Sequence, residues 1–125
     1  MNSKNTKTSH KNVEFDPSKF YFCPLGGSEQ FGVNCNLYIH DNSWLMVDLG
    51  MGFADDSLPG VDILLPNIDV AVENKDKIDG LVITHAHEDH IGGVAHLWPR
   101  LKCPIYCSAF TAEVLKKKFA EAPDC

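Results

Sequence analysis

Apolar and aromatic residues recur in short runs from residue 20 onwards, whereas the chain before them is polar. Residues 1–17 carry almost no apolar side chains, so burial cannot offset the entropy of ordering them, and a flexible tail is predicted. The aromatic run at residues 20–23 predicts a strand, and the proline and two glycines at residues 24–27 predict the turn that ends it. A second strand is predicted over residues 36–40.

The middle of the chain predicts a hairpin followed by a long loop. Residues 43–48 follow a polar turn and alternate between two largely apolar faces, which is typical of a strand in a buried sheet. Glycines and prolines between residues 50 and 60 predict a long loop, and residues 61–65 form a short apolar run after it. Residues 68–74 predict a helical turn.

Alternating strands and helices are predicted for the remainder of the chain. The β-branched run at residues 81–84 and the apolar run at residues 104–107 predict strands, and residues 94–98 between them predict a short helix. A longer helix begins after Ser108, because serine caps helix amino termini. Its expected apolar stripe comprises Phe110, Val114, Leu115 and Phe119, with an ion pair between Glu113 and Lys117. These elements predict an α/β protein.

Composition limits the protein to one globular domain without bulk attraction to nucleic acid. The 125 residues are 44% apolar and 22% charged, and the net charge of −6 argues against binding RNA or anionic membranes by charge alone. No segment approaches the ~18 consecutive apolar residues of a membrane span, and the amino terminus lacks a signal peptide, so a cytoplasmic location is predicted. The five cysteines include no Cys-x-x-Cys pair and predict reduced, mostly buried thiols.

Residues 85–90 concentrate the chemistry of the chain, because three histidines and an aspartate follow directly on an apolar strand. In an extended segment His85 and His87 point the same way, since strand side chains alternate. Asp89 and His90 follow where the chain must turn into a helix, and they address a second point with a carboxylate oxygen and an imidazole nitrogen. The spacing suits two metal ions that share one loop, and metal ligation is favoured over a solvated histidine cluster without function.

The loop resembles the signature of the metallo-β-lactamase fold, which is His85-x-His87-x-Asp89-His90 after a hydrophobic strand. Further matches are similar in order and spacing to the ribonuclease J family: Pro24-Leu25-Gly26-Gly27, Gly32-x-Asn34, Val47-Asp48-Leu49-Gly50, Pro59-Gly60-Val61-Asp62 and Leu65-Pro66. The resemblance covers about residues 20–122. It implies that residues 18–125 are the amino-terminal half of a metallo-β-lactamase αββα sandwich, truncated before the second half.

The resemblance also implies roles for individual residues. His85 and His87 would ligate a first zinc ion, and Asp89 and His90 would ligate a second, with Mn²⁺ or Mg²⁺ as alternative metals. Asp48 and Asp89 are the candidate catalytic residues. Asp48 matches the first motif of the family, where it would accept hydrogen bonds that keep the loop in shape. The alternative for Asp48 is an ordinary aspartate that ends a strand before a glycine turn.

The implied function is hydrolysis of RNA phosphodiester bonds in RNA processing and decay, by two zinc ions that activate water. The RNA substrate would be held mainly outside this sequence. Arg100, Lys102 and the lysines at 116–118 are candidate local contacts, although a solvated helix face is the favoured interpretation of these lysines. The breadth of the histidine motif leaves a small-molecule thioesterase or lactonase as an alternative. A second alternative is a non-catalytic metal-binding or interaction module that uses half a fold to bind a partner.

One loop supplies too few ligands for two zinc sites, since a catalytic zinc takes about three protein ligands plus water. The family has further histidines and a bridging aspartate later in the chain, but here no histidine follows His96, which is expected on a helix. We therefore expect a fragment or truncated product that is inactive alone. Its exposed sheet edge and half-covered core predict self-association, with a homo-oligomer as one outcome.

Overall fold

The computed structural model describes residues 15–26, 33–53 and 63–122. Within these ranges the strands are β1 (Phe20–Gly26), β2 (Cys35–His40), β3 (Ser43–Val47), β4 (Gly52–Phe53), β5 (Ile63–Leu64), β6 (Ile78–Val82) and β7 (Ile105–Tyr106). The helices are α1 (Asp69–Glu73), α2 (Glu88–Ile91), α3 (Val94–Leu97) and α4 (Ala109–Glu121), with 3-10 turns at Lys75–Lys77 and Trp98–Arg100. The predicted α/β class is confirmed. None of the described helices is long and apolar enough to cross a membrane.

Five strands form the main sheet, in the order β1-β2-β3-β6-β7. The first three strands pair antiparallel, whereas β6 pairs parallel with both β3 and β7. The parallel register sets Val47 opposite Val82, so β3 and β6 end at the same edge of the sheet. The segments that follow these two residues therefore emerge side by side.

The core lies between the sheet and the helices on one of its faces. Leu37, Met46 and Leu81 are fully buried at its centre, on three adjacent strands. The helices contribute Ala71, Ile91, Val94, Leu97 and Leu115 to the same cluster. The opposite face carries exposed apolar side chains, namely Phe20, Phe22, Leu45 and Tyr106. One helical layer on one sheet corresponds to half of the four layers of an αββα sandwich.

Most predicted elements are confirmed, and the differences lie at boundaries. β1 continues through Pro24, because β1 is an edge strand and a missing N–H is tolerated there. β6 begins at Ile78, three residues before the predicted start. The prediction missed these residues because Asp79 and Gly80 interrupt the apolar run from which the strand was inferred. Part of the predicted long loop forms β4, which pairs with β5, and residues 54–62 lie outside the described residues.

The predicted cap of α4 is confirmed, but its predicted apolar stripe is wrong at one position. The Ser108 side chain accepts a hydrogen bond from the Thr111 N–H at 3.2 Å. Thr111 and Leu115 are buried, whereas Phe110 is 72% exposed. The buried side of α4 therefore runs through the threonine, and the phenylalanine points away from the core. Glu113 pairs with Lys116, at 3.0 Å, instead of the predicted Lys117.

Most of the predicted tail, residues 1–14, lies outside the described residues. Phe15, at the end of that segment, packs edge-on against Tyr21 and Trp44, with ring centroids 4.8 and 5.8 Å apart. The Phe15 ring thus covers part of the buried Trp44 side chain.

The thiols of the described cysteines are free, and Cys35 is the one most strongly shielded. Its side chain is fully buried, and this burial raises the pKa of its thiol to about 12. Because the thiolate is the reactive form, we expect Cys35 to resist iodoacetamide at pH 8 in the folded chain and to react once urea unfolds it. Mass spectrometry of the labelled peptides measures both states. Rapid labelling of Cys35 without denaturant would contradict the described packing.

Candidate metal centre

The candidate ligands lie where β6 ends and α2 begins. After Val82 the chain leaves the sheet and bends at residues 86–87, although the His87 backbone itself is strand-like at φ −80° and ψ 150°. The first helical turn follows, because the His87 carbonyl oxygen accepts hydrogen bonds from the N–H groups of His90 and Ile91 at 2.8 and 2.9 Å. The candidate ligands therefore divide between the segment before α2, which holds His85 and His87, and α2 itself, which holds Asp89 and His90.

His85, His87 and Asp89 form a cluster that fits a metal ion. One ligand atom from each residue lies within 4.8 Å of the other two. Ligands at about 2.0–2.2 Å from a tetrahedral zinc stand about 3.4 Å apart, so small side-chain rotations would close the cluster around an ion. Both histidines are exposed, so solvent rather than packed core surrounds much of each ring. Two imidazoles and a carboxylate are a donor set that suits zinc.

One nitrogen of the His90 ring lies beside this cluster, and the other contacts Asp48. Its Nε2 atom is 3.5 Å from Oδ2 of Asp89, and its ring centroid is 3.9 Å from that of His85. Its Nδ1 atom is 2.7 Å from Oδ2 of Asp48. Because a carboxylate accepts hydrogen bonds, this contact fits the tautomer with the proton on Nδ1, in which Nε2, the nitrogen beside Asp89, carries the lone pair.

Asp48 is a buried residue that holds the loop through its side chain. Its backbone adopts a left-handed conformation, with φ 64°, which aspartate tolerates better than most residues. In this position its carboxylate accepts hydrogen bonds from the Thr84 N–H and Thr84 hydroxyl, each at 2.8 Å, besides the one from His90. Asp48 therefore fixes both ends of the loop.

Backbone hydrogen bonds bind the loop to two earlier segments of the chain. They run from Asn34 N to Asp89 O, from Leu49 N to His90 O, from Met51 N to Glu88 O, and from Gly93 N to Leu49 O, at 2.8–3.1 Å. A bond from Gly50 N to Asn34 O, at 2.9 Å, joins the two earlier segments to each other. The Asn34 side chain adds a bond to the Asp89 carbonyl oxygen at 2.9 Å. The backbone of the loop is thus fixed while its imidazoles remain accessible.

Gly50 is required where the two segments meet. A Cβ atom at this position would stand 1.9 Å from the carbonyl oxygen of Asp89, which is backbone and cannot move aside freely. The glycine therefore permits the close approach that brings the loop against the segment after β3.

Two residues that orient the loop had no role predicted from the sequence. Thr84 was assigned only to a strand, yet its hydroxyl lies between Asp48 and His85, 3.1 Å from Nδ1 of that histidine. Asn34 appeared in a family motif without a function, and its amide contacts Asp89. Both are single polar residues beside apolar runs, which is the only signal that the sequence offers.

Other predicted residues lie apart from this cluster. His96 is exposed on α3 and lines a separate cavity of about 530 Å³ with Glu88 and Lys118. Glu88 is bound there by Lys118 from α4, so this acid serves as a link between helices. Of the candidate RNA contacts, Arg100 pairs with Asp69, Lys116 with Glu113 and Lys118 with Glu88. These cations are already engaged within the chain.

The fold and the loop identify the class of protein. The family model of the metallo-beta-lactamase superfamily matches residues 29–122, and the chain belongs to this superfamily. Its members are metal-dependent, and the histidine and aspartate cluster lies within the matched residues.

Similar proteins identify a narrower group within this superfamily. The chain is 40% identical over 121 residues to Ribonuclease J of Sinorhizobium meliloti, which is 94% of this chain and 21% of that protein. It is 39% identical over 100 residues to Ribonuclease J of Synechocystis, covering 79% and 16% of the two chains, and 36% identical over 118 residues to that of Mycoplasma pneumoniae, covering 89% and 21%. The predicted resemblance to ribonuclease J is confirmed. The chain spans about a fifth of the length of these relatives.

Replacing Gly50 by alanine tests the close approach of the two segments. We expect Gly50→Ala to lower the free energy of unfolding by about 2 kcal/mol or more, because the new methyl group meets rigid backbone. Gly80→Ala is the matched control, since its Cβ would meet the exposed Tyr106 ring, which can rotate away. Urea denaturation followed by circular dichroism measures both. Equal losses in the two variants would contradict the proposed constraint.

Replacing Asp48 by asparagine tests its hold on His90. An amide nitrogen at this position would donate to Nδ1, move the imidazole proton to Nε2 and remove the lone pair that faces the cluster. We expect zinc affinity, measured by calorimetry, to fall by about 10- to 100-fold. Asp41→Asn is the control, because Asp41 has a similar φ of 56° and lies exposed in the hairpin turn. Unchanged affinity in Asp48→Asn would exclude the orienting role.

Proposed function

We propose that this chain carries the metal-binding part of a zinc-dependent ribonuclease that hydrolyses RNA phosphodiester bonds. The observation that carries the proposal is the convergence of His85, His87 and Asp89 in a chain that is 40% identical over 121 residues to a Ribonuclease J. A cytoplasmic location and self-association of the chain remain predictions from its sequence.

In this proposal the loop holds two ions. His85 and His87 hold the first, and Asp89 with His90 holds the second. Asp89 lies beside both pairs, since it clusters with the first two histidines and has an oxygen 3.5 Å from Nε2 of His90. A carboxylate with two oxygens suits a place between two ions. When bound, a zinc pair supplies an activated water and neutralises charge on the phosphate oxygens.

The chain's own residues provide orientation. Asp48 keeps the proton of His90 on Nδ1, which leaves Nε2 free to ligate. Asn34 fixes the backbone of Asp89, so the carboxylate starts from a defined position. We propose that Asp48 acts as a positioning residue, because it is buried and its carboxylate oxygens bond to Thr84 and His90. Positive charge for the phosphate then comes from the metals, since Lys118, which contacts Glu88 of the loop, is already paired with that acid.

The ligand count predicts the behaviour of the 125-residue chain alone. Four side chains complete at most one four-coordinate zinc site, so we expect essentially no turnover of 5′-monophosphorylated RNA with Zn²⁺ or Mn²⁺. Zinc should bind more weakly than to a complete two-zinc enzyme. Robust cleavage by the isolated chain, measured by gel electrophoresis of labelled RNA, would refute the expected incompleteness of the site.

A chimera tests the ribonuclease function itself. The segment of the Sinorhizobium meliloti Ribonuclease J that matches this chain would be replaced by this chain, and we expect the chimera to cleave RNA. A chimera with His87→Ala should retain the fold and lose activity by several orders of magnitude, because it lacks a metal ligand. His96→Ala is the control histidine, and it should retain activity. A folded, zinc-loaded chimera that cleaves no RNA would contradict the proposed function.

A further inference from the structure

A second cavity adjoins the candidate metal centre. It has a volume of about 410 Å³ and lies between the loop after β6 and the start of α4. His85 and His87 line it on one side, and Phe110 and Val114 line it on the other. The cavity therefore shares two of the three clustered candidate ligands, and it opens directly beside them.

Phe110 has an exposed ring at this cavity. Its side chain is 72% exposed, although the sequence places it in an apolar stripe. Phe20 and Phe22 are also exposed, but their rings pack near Tyr38, with centroids 6.0 and 5.3 Å apart. In the described part of the chain no aromatic ring packs on Phe110, so a face of its ring is available to a ligand.

The lining of the cavity favours an uncharged, flat group. Its described lining contains no lysine, arginine, aspartate or glutamate. Ser108 is not available to bind a phosphate, because its hydroxyl accepts from the Thr111 N–H and donates to the Thr111 hydroxyl. The phosphate of a nucleotide thus belongs at the metal side, and the cavity suits the part of the nucleotide that carries no charge. Aromatic rings stack on every nucleobase irrespective of sequence.

We propose that Phe110 forms a nucleobase-binding subsite beside the metal centre, where its ring stacks on the base of a nucleotide whose phosphate lies at the metals. The inference rests on the proposed function, because it takes RNA as the substrate. It adds a residue that binds the base, and it predicts little preference among the four bases. Val114 supplies the apolar wall below the ring.

Binding of two small probes to the zinc-loaded chain tests the subsite. Adenosine 5′-monophosphate carries a base and a phosphate, whereas ribose 5-phosphate lacks the base. We expect calorimetry or NMR titration to show about 5- to 150-fold tighter binding of the nucleotide, which is the range for stacking on one aromatic side chain. Phe110→Ala should abolish this difference and leave ribose 5-phosphate binding unchanged. Phe20→Ala, which removes another exposed ring, should preserve the difference.

A second variant tests the subsite by a signal that appears on binding, whereas Phe110→Ala tests it by a loss of affinity. In Phe110→Trp we expect adenosine 5′-monophosphate to quench the new indole fluorescence and ribose 5-phosphate to leave it unchanged. Equal affinities of the two probes, or a base preference that survives Phe110→Ala, would overturn the subsite and leave the proposed function intact. Failure of ribose 5-phosphate to bind in a zinc-dependent way would instead contradict the proposed function.

Discussion

The parallel pairing of β3 with β6 is the constraint on which the candidate site depends. It ends both strands at one edge of the sheet, with Val47 opposite Val82. Asp48 and Thr84 then stand close enough to hydrogen-bond, and the loop that follows is drawn over the segment after β3. If this pairing were lost, the histidines would still be neighbours in sequence, but nothing would fix where their rings point.

The loop combines a fixed backbone with accessible side chains. Its main chain is bound to Asn34 and to residues 49–51, whereas His85 and His87 remain exposed. Gly50 permits this contact because it has no side chain. Such an arrangement suits a metal site, since the ligands need small rotations to close on an ion while the frame behind them stays unchanged.

The sequence singled out the candidate ligands more completely than the residues that orient them. The four candidates lie within six consecutive positions, so they are close in space whatever the fold around them. Asp48 was found through a family motif, but its bond to His90 spans 42 residues, and that of Asn34 to Asp89 spans 55. Contacts of this length depend on strand order, which local patterns do not contain. The prediction that Phe110 faces the core is wrong for a related reason. Helical spacing and apolar character favour Phe110, but the packing of α4 on the rest of the fold buries Thr111 instead.

The hydrogen-bonding frame of the loop precedes the loop in the chain. Asn34, Asp48 and Gly50 leave the ribosome before the first of the clustered histidines, since synthesis runs from the amino terminus. The hairpin of β2 and β3 joins neighbouring residues and forms quickly, whereas the pairing of β3 with β6 must await about thirty further residues. The imidazoles therefore follow the residues that orient them, and their backbone takes its place only when β6 has paired with β3.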